Sequence, residues 1–229
     1  MPTMKVPPSQ SARNRQAGET RVADAAAEES LSGHMASDAT IKIATWFGEH
    51  EDGEFLRLPT THPYAGTIPS PDARCILYTT KPPCVLHALE QCADVASIQV
   101  VGRPGLPNED DARWLQALAG DREILFLGDC DPADLLVFAW LRSQIPLTHV
   151  GVSDSLVRSL SVHVEDNMTI PLADSEREAA FLLTDVWPDY RQVVGSQCAG
   201  LLERGRKLEV EAVISWARGR TSLRDVFAY

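Results

Sequence analysis

The chain has 229 residues, 44% of them apolar and 23% charged, with a net charge of −11. These values suit one main folded domain with tails and speak against a disordered chain. No stretch reaches the roughly 20 apolar residues of a membrane helix, no hydrophobic leader opens the chain, and a cytoplasmic location is expected. The charge also opposes unaided DNA binding, because a duplex carries about one negative charge per 1.7 Å. Five cysteines, Cys75, Cys84, Cys92, Cys130 and Cys198, are scattered without ligand pairing. They read as reduced thiols rather than a disulfide framework or a zinc site.

In chain order, residues 1–38 are rich in Ser, Ala, Glu, Arg and Pro, with few large apolar side chains. Such a composition cannot offset its ordering entropy, so a disordered tail is expected. SGHMAS at Ser32 to Ser37 reads as a cloning junction, or Met35 as the natural start. Residues 39–72 form an extension. IKIATWF, Ile41 to Phe47, alternates and is predicted as a strand, followed by an acidic turn and a Pro-rich loop from Thr60 to Asp72.

From 73 to 229 strands and helices alternate, which predicts an α/β fold with a mainly parallel sheet covered by helices. CILYTT is a strand and PPCVLHALEQCAD a helix; SIQVVG is the next strand. After RPGLP, NEDDARWLQALAG is a helix capped by Asn108 and stopped by Gly120, with Trp114 in the core. Gly102 and Gly105 are read as turn glycines. Ile124 to Leu127 is a buried strand, and Gly128 leads to Asp129, Asp131 and a helix opened by Pro132. LTHVGV is a fourth strand, followed by a short helix from Asp154 to Leu160. His87 and His149 are read as packed core histidines. Further helices are expected over Asp174 to Thr184, Tyr190 to Leu202 and KLEVEAVISWA, after a loop or edge strand over 161–171.

The acidic turn carries the chemistry. Ligands of open α/β sheets gather outside the strand carboxyl ends, where Asp129 and Asp131 could hold a divalent cation in an open pocket. The plainer reading makes Asp131 a helix cap and Asp134 a first-turn charge matched to the helix dipole; it leaves Asp129 with no cap to make. Lys81 and Arg103 also follow strand ends and could meet phosphate oxygens, or be solvated surface cations.

Read together, CILYTTKPPCVLHAL, VVGRPGLPNEDDARWLQAL, LFLGDCDPADLLVFAWL and HVGVSDSLVRSL follow one another in a telling order. They resemble the Toprim domain of the topoisomerase VI A-subunit family, with its meiotic double-strand-break relatives. That family has a strand ending in Glu-Lys, a Gly-Lys-Gly-x-Pro loop, an Asp-x-Asp-Pro turn and a Leu-Gly-x-x-x-Ser-Asp segment. Its closing tryptophan and Lys-Ala-Glu-Ile-Glu-Ala-Leu helix are echoed by Trp187 and by KLEVEAV, Lys207 to Val213. The resemblance runs from Ala73 to the C-terminus and implies a Toprim-like, Rossmann-like fold. It implies magnesium (Mg2+) held by Asp129 and Asp131, and DNA contact through Lys81 and Arg103.

Two departures qualify what the resemblance implies. The family's catalytic glutamate falls at Thr80, so the acid position is degenerate and the ion would be held weakly. The family's tyrosine-bearing winged helix has no counterpart in residues 1–74, and Tyr64, Tyr78, Tyr190 and Tyr229 read as packing or surface residues. Any isomerase-like DNA cleavage would need a tyrosine in trans. The expectation is a degenerate module within a larger complex, as a homodimer or with a topoisomerase VI B-like ATPase or winged-helix protein. The rival expectation is a non-catalytic interaction and dimerisation module, with contacts made by KLEVEAVISWA and TSLRDVFAY. A receiver domain is disfavoured, since its acidic pair belongs on the first strand, where CILYTT has no acid.

Overall fold

The computed structural model describes residues 38–50, 64–67, 72–90 and 97–217. The segments 1–37, 51–63, 68–71, 91–96 and 218–229 lie outside them, and with them the expected tail, the acidic turn and most of the Pro-rich loop that follows it, Cys92 and the TSLRDVFAY helix. The chain divides into two compact units, Met1–Ile41 and Lys42–Tyr229, and the fold below is that of the second.

Its sheet has five strands: β1 (Ala65–Gly66), β2 (Cys75–Thr79), β3 (Ile98–Gly102), β4 (Glu123–Leu127) and β5 (Thr148–His149). They lie in the order β1-β3-β2-β4-β5, with β1 antiparallel and the others parallel. The α/β, mainly parallel expectation is therefore met. The apolar runs explain it: Ile76, Leu77, Tyr78, Ile124, Leu125, Phe126 and Leu127 are all buried, as strands covered on both faces require. Thr79 pairs with Gly102 on one side and Leu127 on the other, so three strand ends stand level. A side chain on Gly102 would meet the Thr79 carbonyl oxygen at 2.1 Å, which is why glycine stands there; Gly105, at φ 79°, makes the turn.

The first described helix, α1, runs over 38–49. The helices α2 (Pro82–Glu90), α3 (Glu109–Ala119) and α4 (Pro132–Gln144) follow β2, β3 and β4. α3 begins with a complete capping box, Asn108 Oδ1 accepting from Asp111 N while Asp111 Oδ2 accepts from Asn108 N, and ends at Gly120. From β2 the chain crosses to β3 on one side, and from β4 to β5 on the other. The switch point is thus the gap between the carboxyl ends of β2 and β4.

Several expectations are corrected. Residues 41–47 are helical, within α1, not a strand. Ile43, Trp46 and Phe47 are buried at i, i+3 and i+4, while Ile41 and Thr45, which alternation would place with Ile43 and Phe47, are exposed. Trp114 is 43% exposed and leans on Tyr64, ring centroids 4.7 Å apart, instead of entering the core. The single helix over Tyr190 to Leu202 is two, Tyr190–Val194 and Ser196–Glu203, broken at Gly195 with φ 87°.

After the short helix Asp154–Ser159, a second sheet pairs the antiparallel strands β6 (Thr169–Pro171) and β7 (Arg206–Leu208), with the helix Asp174–Val186 between them in sequence. Arg206 to Leu208, expected as helix from Lys207 onward, is therefore strand. The helix resumes at Val210–Ala217. Cys130 exchanges both backbone hydrogen bonds with Leu208, N to O at 2.9 Å and O from N at 3.2 Å, so β7 is tied to the acidic turn. The described cysteines are free thiols.

His149 packs against Phe126 and Phe138, ring centroids 6.1 and 5.0 Å away, with both ring nitrogens buried and unpartnered. Burial lowers its pKa from 6.5 to about 4. A depressed folded-state pKa gives stability that is full above pH 6.5 and is lost as pH falls through about 4. Melting temperatures of wild type and His149→Phe should therefore diverge in favour of the variant as pH falls across that window; parallel curves would contradict it.

Candidate cation site

The acidic turn after β4 sits at the switch point. Asp131 caps α4, its Oδ1 accepting from Asp134 N at 2.8 Å, with Pro132 at the first helical position. Asp134 turns its carboxylate back over the turn. Its Oδ2 accepts from Asp129 N at 2.7 Å and from the Thr80 hydroxyl at 2.6 Å. Gly128 makes room for this, since a Cβ there would lie 2.7 Å from Asp134 Oδ2.

Asp129 does have a cap to make, contrary to the reading of its sequence. Its Oδ1 accepts from Val210 N at 2.7 Å, satisfying a first-turn N–H of the helix Val210–Ala217, 81 positions away in the chain. The other oxygen, Oδ2, is ion-paired with the Lys81 ammonium, 2.9 Å from Nζ.

Carboxylate oxygens of Asp129, Asp131 and Asp134 lie within 4.8 Å of one another, a group that could hold a metal ion. The acids are not in an open pocket. Asp129 is 1% exposed, Asp131 7% and Asp134 8%, because β7 and the helix after it cover the turn. Two full charges at that spacing repel by about 3 kcal/mol at an effective dielectric near 20, more than a typical hydrogen bond returns.

All three carboxyls are accordingly pushed up. Burial raises Asp129 to about 7, the Asp134 charge adding to it while Lys81 and the Val210 N–H oppose it. Burial, then Asp134 and Asp129, hold Asp131 well above the usual range. Asp134 is raised by burial, with Thr80 and the Asp129 N–H working against the rise. Burial disfavours the Lys81 charge, yet Asp129, Glu211 and Asp134 outweigh it and hold the ammonium well above its ordinary pKa.

The sequence-predicted residues divide cleanly. Thr80, Lys81, Asp129 and Asp131 come together, and Asp134, assigned to the helix dipole alone, is the hub. Arg103 does not join them. It is 3% exposed, donates to Asp111 Oδ2 at 2.9 Å and lies over the Tyr64 ring at 5.5 Å, so it is neither a surface cation nor open to phosphate. Glu211, within KLEVEAV but not singled out there, is a further acid beside the cluster, and its Oε2 is buried without a hydrogen-bond partner.

Asp154 repeats the tying device on another helix. Its Oδ2 and Oδ1 accept from Gln197 N at 3.0 Å and Cys198 N at 2.9 Å. Burial would raise this carboxyl, but those two N–H groups hold it below its ordinary range.

The molecule is thus an α/β protein with a buried acid cluster at the switch point of a parallel sheet. Compared with models of known protein families and with curated proteins, the chain matches none. No helix among the described residues is long and apolar enough to cross a membrane.

The hub role of Asp134 has a measurable cost. Asp134→Asn keeps an acceptor for the Thr80 hydroxyl and the Asp129 N–H while removing the charge that repels Asp129 and Asp131, whereas Asp134→Ala removes the acceptor as well. Denaturant unfolding should show the Ala variant about 2 kcal/mol less stable than the Asn variant. Equal, small losses in both variants would contradict the arrangement.

Proposed function

We propose that the chain is a Toprim-like module, related to the topoisomerase VI A-subunit family, that binds Mg2+ weakly at Asp129 and Asp131 and meets DNA phosphates within a larger complex. The observation carrying this reading is the convergence of three carboxylates within 4.8 Å at the β2/β4 switch point, beside Thr80. The donor set fits a hard divalent cation: all the ligands are oxygens, and three of them come from carboxylates. When bound, such an ion neutralises charge on a phosphate oxygen.

The chain's own residues supply orientation. Asp134 ties the turn together through Asp129 N and Thr80, and Lys81, one-third exposed, is the cation paired with Asp129. The module's own DNA-cleavage activity is weakened or absent, since among the described residues no tyrosine is placed as a nucleophile. Tyr78 is 1% exposed and Tyr190 6%, Tyr64 packs against Trp114, and burial raises the Tyr64 and Tyr78 hydroxyls far from any nucleophilic range. A tyrosine from a winged-helix partner would complete the isomerase chemistry, with a topoisomerase VI B-like ATPase or a second copy as the other expected partner.

A second reading is favoured by one specific observation: Asp129, Asp131 and Asp134 each accept a hydrogen bond inside the protein. A non-catalytic interaction module, its acids serving only as caps, has that property too. Melting in millimolar Mg2+ separates the two. A ligand at ten times its dissociation constant adds about 1.4 kcal/mol, a shift of a few degrees. We expect that shift in wild type, larger with duplex DNA present, and none in Asp131→Ala. Unchanged melting of wild type under all conditions leaves the interaction module.

A further inference from the structure

The acid cluster already holds a cation of its own. Lys81 leaves the end of β2 and places Nζ 2.9 Å from Asp129 Oδ2, inside the space where a bound ion would draw on that same oxygen. Asp129 is 1% exposed, and Oδ2 has no N–H or O–H donor that could replace the ammonium. Across from it, the Val210 N to Asp129 Oδ1 bond sets the first turn of the helix Val210–Ala217 directly over the cluster, and the next residue is Glu211. Its Oε2 is a buried oxygen without a hydrogen bond, and its charge is felt by both Lys81 and Asp134. The Glu211 carboxylate is thus a second negative group whose charge already acts on the Lys81 ammonium.

We propose that Lys81 is a displaceable internal counter-ion, and that a divalent cation enters the cluster by moving the Lys81 ammonium from Asp129 Oδ2 to Glu211 Oε2. The proposal rests on the cation reading of the cluster and adds how access to it is regulated. One positive charge leaves Asp129 as two arrive, and the released ammonium moves to the Glu211 carboxylate. Weak binding by the wild type follows, because every ion must first displace Lys81. Glu211 also replaces, from the far end of the chain, the negative charge that Thr80 does not supply. Its contribution is to receive the lysine rather than to touch the ion.

The test is calorimetric titration of the full chain with Mn2+ and with Mg2+ alone, for wild type, Lys81→Met, Lys81→Gln and Glu211→Gln, each checked for folding by its melting curve. Lys81 is one-third exposed, and two neutral replacements guard against a folding defect in either. Both Lys81 variants should bind Mn2+ about tenfold tighter than wild type, and Glu211→Gln severalfold weaker. If wild type and the Lys81 variants bind equally, the gate is overturned while the cation reading stands. If Glu211→Gln binds as wild type does, the receiving role of Glu211 is overturned. If no variant binds either ion, the gate and the cation reading fall together.

Discussion

Three carboxylates packed within 4.8 Å of one another and almost sealed from water are the constraint around which this fold is arranged. Charge of one sign at that spacing is unfavourable by more than any single hydrogen bond repays, so it must be shared with protons, donors or a cation. The protein uses all three means. Its carboxyl pKa values are raised, four donors (the Thr80 hydroxyl, Asp129 N, Asp134 N and Val210 N) converge on the oxygens, and Lys81 supplies a positive charge.

Carboxylates also organise the C-terminal part of the chain, one from this cluster and one outside it. Asp129 holds the start of the helix Val210–Ala217 and Asp154 the start of Ser196–Glu203, so two helices are docked by carboxylates accepting their first-turn N–H groups. Cys130 adds the backbone pairing with Leu208 between them. The cover over the acids and the tether of the C-terminal helices are one structure.

Much of the sheet was legible because its strands are short unbroken apolar runs, and a strand covered on both faces has no other way to read. The capping box at Asn108 and the Asp131-Pro132 start of α4 were legible for a similar reason, since their chemistry is local. What escaped was long-range or ambiguous in period. Ile41 to Phe47 satisfies both a two-residue alternation and the i, i+3, i+4 set Ile43, Trp46, Phe47, and tertiary burial chose the second. Arg103 looked like a strand-end cation because nothing local shows that Asp111, busy in its own capping box, also accepts a guanidinium. The Asp129 partner lies 81 positions on, and Glu211 comes beside it through that same contact, so neither leaves a local trace. The break at Gly195 was in principle visible, as a glycine inside a helical pattern, but its cause is the Asp154 carboxylate, 2.3 Å from where a side chain would begin.

We propose the switch point between β2 and β4 as a cation site built from Asp129 and Asp131. Crystals soaked in Mn2+ and measured for anomalous scattering test it most directly. The predicted result is a peak bonded to carboxylate oxygens of both residues at about 2.2 Å, with the Lys81 ammonium moved off Asp129. Manganese bound elsewhere, or an undisturbed Lys81–Asp129 pair at saturating metal, would contradict it.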